Sequence, residues 1–65
     1  MNKVIQIEIN KSDYEILENA LFNNHIIFKT NETKNKMIVY IYYRNNIVYD
    51  KLINIIDSYN LEIEI

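Results

Sequence analysis

The sequence predicts an α+β sandwich of βαββαβ order. Two observations predict it. Apolar residues fall at every second position in two runs, Ile5, Ile7, Ile9 and Met37, Val39, Ile41, Tyr43. Each run is followed by an apolar pattern of helical period and then by a further strand-like run. The whole pattern fits within 65 residues that contain no glycine, proline or cysteine. A chain of that length forms one domain, residues 1–65.

The first strand is expected over Lys3 to Asn10, with Gln6, Glu8 and Asn10 opposite the isoleucines. Ser12 and Glu15 have the spacing of a capping box, so the first helix is expected to start there and run to about Asn23. Tyr14, Leu17, Ala20 and Leu21 share its apolar face. Asn23-Asn24 is the expected stop, with asparagine taking the left-handed position that glycine usually fills. The second strand spans Ile26 to Thr30, and Asn31 to Asn35 reads as a polar hairpin loop. Lys36 to Arg44, dense in β-branched and aromatic residues, is the third strand. Asn45 or Asn46 caps the second helix, which presents Val48 or Tyr49, Leu52, Ile53 and Ile56 and ends near Tyr59. Asn60 closes it, and Leu61 to Ile65 alternates as the fourth strand.

A shift of 35 residues superposes Leu17 on Leu52, Leu21 on Ile56, Ile26 on Leu61 and Phe28 on Ile63. Two βαβ units joined by a hairpin, with right-handed crossovers, give a ferredoxin-like fold. Its four-stranded antiparallel sheet has strands one and three at the centre and both helices on one face. The expected core is Ile5, Ile7, Ile9, Leu17, Leu21, Phe28, Val39, Ile41, Leu52, Ile56 and Ile63. The other face of the sheet is left uncovered.

Composition narrows the chemistry. The absence of cysteine excludes disulfides and thiolate metal sites, and one histidine, His25, excludes an imidazole-rich one. No cofactor, metal or catalytic set is therefore expected, and the chain reads as a non-enzyme. His25 is expected at a helix end, where an imidazole usually complements the dipole. Glu62 and Glu64, on an edge strand, are expected to deter edge pairing. A net charge of −2 advertises no strong attraction to nucleic acid or membrane. No apolar run approaches the ~20 residues of a membrane span, and no signal peptide is evident, so a cytoplasmic protein is expected. A small domain without disulfides gains most from self-association, so a homodimer is expected too. Fourteen isoleucines, eleven asparagines and a single arginine follow AT-rich codon usage. With the small size, that profile suggests a phage or mobile-element accessory protein that inhibits a host protein, including one of antiviral defence, by occluding a surface.

The candidate binding surface lies on the third strand. If Val39, Ile41 and Tyr43 face the helices, Ile38, Tyr40 and Tyr42 lie on the open face, with Arg44 at their rim. Aliphatic residues pack against helices more readily than tyrosine hydroxyls do, which favours this register over the one that exchanges the two sets. Tyrosine and arginine are also enriched at interface hot spots. Two tyrosines two residues apart on the middle strand of this topology resemble the RNA-recognition motif. That resemblance implies base stacking on single-stranded nucleic acid. It covers topology only: the basic, glycine-containing motif of the third strand is replaced by Lys36-Met37-Ile38-Val39-Tyr40-Ile41-Tyr42-Tyr43. The first strand offers Gln6 and Glu8 where an aromatic is wanted, and a carboxylate there repels phosphate.

Overall fold

The computed structural model describes residues 3–64. The elements are β1 (Lys3–Asn10), α1 (Lys11–Asn23), β2 (Ile27–Glu32), β3 (Lys36–Tyr43), α2 (Asn46–Ser58) and β4 (Ile63–Glu64). The strands form one antiparallel sheet in the order β2-β3-β1-β4. This is the ferredoxin-like arrangement, with β1 and β3 central.

Register follows from burial. Ile7, Ile9, Val39 and Ile41 are buried and pack with Leu17, Ala20 and Leu21 of α1 and with Leu52 and Ile55 of α2. The odd-numbered residues of β1 and β3 therefore face the helices. Ile5, Phe28, Ile56 and Ile63 are half-buried at the margin of this core. On α2 the buried contact beside Leu52 is Ile55, with Ile53 further round the helix. Residues three apart share a face and adjacent residues do not.

The helix ends differ from expectation in an informative way. α1 begins at Lys11, directly after the last β1–β3 pair, Asn10 with Lys36. Asn10 is the N-cap, with an extended backbone and no side-chain cap bond. Ser12 lies inside the first turn, so no capping box forms. The strand runs into the helix without a linker, leaving no non-helical residue at position 12 to act as a cap. Asn45 does cap α2, its Oδ1 accepting from the Ile47 and Val48 amides at 3.0 and 3.4 Å.

Both helices end in the same six-residue motif. His25 has φ 56° and Asn60 has φ 53°. The Ile26 amide donates back to the Leu21 carbonyl and the Leu61 amide to the Ile56 carbonyl, each at 3.0 Å. The His25 and Asn60 amides donate to Phe22 and Asp57. These are Schellman motifs, in which the residue after the left-handed one is drawn into the core. Ile26 and Leu61 are that residue, and both are buried. Burial of Ile26 places the left-handed conformation on His25 rather than on Asn23 or Asn24. The Asn24 side chain instead donates from Nδ2 to the Ala20 carbonyl at 2.8 Å.

β2 consequently starts at Ile27 and runs on to Glu32, and β3 ends at Tyr43, one residue before Arg44. The hairpin tightens around Thr33 and Lys36, which exchange backbone and Thr33 hydroxyl hydrogen bonds at 2.9 to 3.0 Å. β4 is shorter than expected: among the described residues it pairs only Glu64 with Glu8 and Ile63 with Ile9. Leu61 belongs to the helix-end turn, and Ile65 lies outside the described residues.

Leu17→Ala or Leu52→Ala should each lower the unfolding free energy by about 2–5 kcal/mol, as measured by denaturant titration. A non-glycine residue in the left-handed region is strained by roughly 1 kcal/mol. His25→Gly should therefore raise the stability by up to about 1 kcal/mol. A loss of stability in that variant would contradict the Schellman geometry at His25.

Candidate functional site: the uncovered face of the sheet

Even-numbered residues of β1 and β3 point away from the helices, and the pairing register places them in rows with the odd-numbered residues of β2. The first row is Ile27, Tyr42 and Val4. The second is Lys29, Tyr40 and Gln6. The third is Asn31, Ile38 and Glu8, continued by Glu64. Ile38, Tyr40 and Tyr42 thus share this face, as the sequence suggests, and all three are half-buried between flanking strands. Arg44 follows the end of β3, is exposed, and borders a shallow depression with Ile27 and Tyr42.

Two apolar residues missed by sequence reasoning are more exposed than the tyrosines. Ile27 is 72% exposed and Val4 51%. Together with Tyr42 they make an apolar bar across three strands. A signal for each exists in the sequence. Val4 is the apolar residue out of phase with Ile5, Ile7 and Ile9, and Ile26 and Ile27 are adjacent, so that only one of them can face the core. Beyond the β2 edge the apolar surface continues onto the helix side, where Phe22, 63% exposed, meets Phe28 edge-to-face at 5.3 Å.

Charge on the face is divided. Lys29 lies on the β2 flank, its Nζ 6.0 Å from the centre of the Tyr42 ring. Glu8 and Glu64 lie on the β1–β4 flank, and Lys36 approaches Glu64 at 4.0 Å. The flank beside β1 is thus acidic, as the presence of Glu8 leads one to expect, and Glu8 and Glu64 offset two of the three cations on or beside the face, Lys29, Lys36 and the rim Arg44. A shallow depression of about 560 Å³ runs along Val4, Gln6 and Glu8 where β4 stops short.

The helix side holds a different polar group. Burial raises the pKa of Tyr14 above the ordinary 10.0, and so does the hydrogen bond its hydroxyl donates to Glu18 at 2.8 Å. The fold therefore favours the neutral phenol. Its contribution is complete below the unfolded value and is lost only as pH rises through the folded one. Among the described residues, no three carboxylate or imidazole side chains converge on a point where a metal ion would be held.

Comparisons with protein-family models, with curated proteins and with solved structures returned no match. No described helix is long and apolar enough to cross a membrane.

Because Ile27 and Val4 contribute little to the core, Ile27→Thr and Val4→Thr should each change the unfolding free energy by no more than about 0.5 kcal/mol. A loss of several kcal/mol in either variant, measured on dilute monomeric protein, would show that the face is not open in the monomer.

Proposed function

We propose that this chain is a small non-enzymatic protein-binding module that works through the uncovered face of its sheet. The observation that carries this reading is the bar formed by Ile27, Tyr42 and Val4, backed by Tyr40 and Ile38. An apolar, aromatic surface of this kind is what a protein partner covers. Tyrosine suits it, because the ring buries a large area at small entropic cost and the hydroxyl serves the wet margin. Arg44 extends the surface at its rim. The non-enzymatic part of the reading is supported by the charged groups of the face, which among the described residues are Glu8, Glu64, Lys29 and Lys36 with Arg44 at the rim and include no histidine. A tyrosine such as Tyr14, held neutral, is likewise a poor base near neutral pH.

The setting we propose is the cytoplasm of a host cell. There the module, an accessory protein of a phage or mobile element, occludes a surface of a host protein, such as one of antiviral defence. AT-rich composition and small size support that setting, whereas the exposed bar supports protein binding as such.

The runner-up reading is a base-stacking platform, favoured by Tyr40 and Tyr42 on the middle strand. Glu8 and Glu64 beside them weigh against it, since a carboxylate next to the platform repels phosphate. Tyr40→Ala and Tyr42→Ala should each weaken protein association by about 1–3 kcal/mol without unfolding the domain, and association should respond only mildly to salt. A platform for single-stranded nucleic acid would instead bind oligonucleotides through the same tyrosines, with affinity falling steeply as salt rises. Sedimentation and oligonucleotide titration on both variants distinguish the two. Indifference of every association to both substitutions would overturn the protein-binding reading.

A further inference from the structure

We infer that the occupant of the uncovered face is a second copy of this chain, stacked face to face about a two-fold axis that runs along β3. The inference rests on the protein-binding reading of the face and names a second copy as its partner there, so that a host protein is met by the assembled dimer through another surface. A two-fold interface requires a patch that complements itself, and this face meets that requirement about its central strand. β2 and β1 flank β3 at equal spacing, about 4.8 Å on either side. A half-turn about β3 therefore places each β2 residue over the β1 residue of the same row in the other copy.

In the first row Ile27 meets the second copy's Val4, apolar on apolar, while Tyr42 faces its own counterpart. In the second row Tyr40 faces Tyr40 and Lys29 lies over Gln6. Successive rows are about 7 Å apart along a strand, so the lysine side chain also reaches toward Glu8 of the second copy in the third row. Each copy contributes one basic and one acidic flank, and the axis brings unlike flanks together twice. Ile38 faces Ile38 below the tyrosines. Lys36 is a cation that the axis sets near its own counterpart, and Glu64 stands 4.0 Å from it within each chain to offset the repulsion. Sheets stacked in this way keep their strand directions within about 30° and lie about 10 Å apart, a spacing that tyrosine and isoleucine side chains fill. The product is a four-layer assembly with helices outside and two sheets within. An unrelated partner has no need of matched flanks about β3, whereas a second copy does.

Charge reversal tests the inference by sedimentation equilibrium on the full chain. Lys29→Glu and Glu8→Lys should each weaken dimerisation about tenfold, because every substitution enters the interface twice. The double variant carrying both should recover most of the lost affinity. Lys29 and Glu8 lie on flanking strands separated by β3, so recovery reports contact between copies. Identical far-ultraviolet circular dichroism, and identical unfolding midpoints at concentrations where the parent is monomeric, exclude misfolding as the cause. Cross-linking gives a second test, since the chain has no native cysteine. A short bismaleimide should join a Val4→Cys chain to an Ile27→Cys chain more efficiently than either variant to itself. A chain that stays monomeric overturns the inference, as do charge variants that dimerise like the parent or a cross-linker that does not favour the mixed pair. If Tyr42→Ala abolishes binding to some other protein while the charge variants change nothing, the second copy is ruled out and the protein-binding reading stands.

Discussion

A four-stranded sheet has two faces, and the two helices among the described residues cover one of them. That shortage governs the rest of the structure. α1 and α2 are thirteen residues each, and both are used to cover Ile7, Ile9, Val39 and Ile41. The alternation that buries these residues necessarily turns Gln6, Glu8, Ile38, Tyr40 and Tyr42 outward, because a strand cannot present one face without the other. A domain this small buries only about 60% of its unfolded surface. Leaving apolar area on the second face is therefore expensive unless another molecule covers it.

The two helix ends show how the chain manages without glycine. Each helix must reverse and deliver the next strand to the sheet, which requires a left-handed residue followed by a buried one. His25 and Asn60 accept that conformation, and Ile26 and Leu61 repay the strain through burial. The two turns lie the same distance apart in sequence as the two helices, so the halves of the domain share a structural plan as well as a hydrophobic pattern.

Much of this was legible in the sequence, and the failures have physical causes. The parity of β1 and β3 was readable because a period of two is unambiguous over eight residues. Helix phase was less so. Ile53, Ile55 and Ile56 are all isoleucine, and although Ile55 and Ile56 both share a face with Leu52, Ile55 is buried while Ile56 packs at the margin of the core. The Ser12 capping box failed because local propensity carries no information about how soon a strand must turn. Ile27 and Val4 were overlooked because each adjoins a residue that does belong to the core, and their shared row exists only once β2, β3 and β1 are paired. The tyrosines of β3 were found because aromatic residues on a central strand stand out, yet on their own they mark a stripe rather than a surface.

Isotope-filtered NMR on a mixture of labelled and unlabelled chains shows whether a second copy covers that surface. Within one chain Val4 and Ile27 sit on either side of β3, about 10 Å apart, too far for a strong methyl–methyl Overhauser effect. A filtered cross-peak between their methyl groups is the predicted result, since it arises only across the interface. Sharp methyl signals for both residues that show no filtered cross-peak and no dependence on concentration would contradict it.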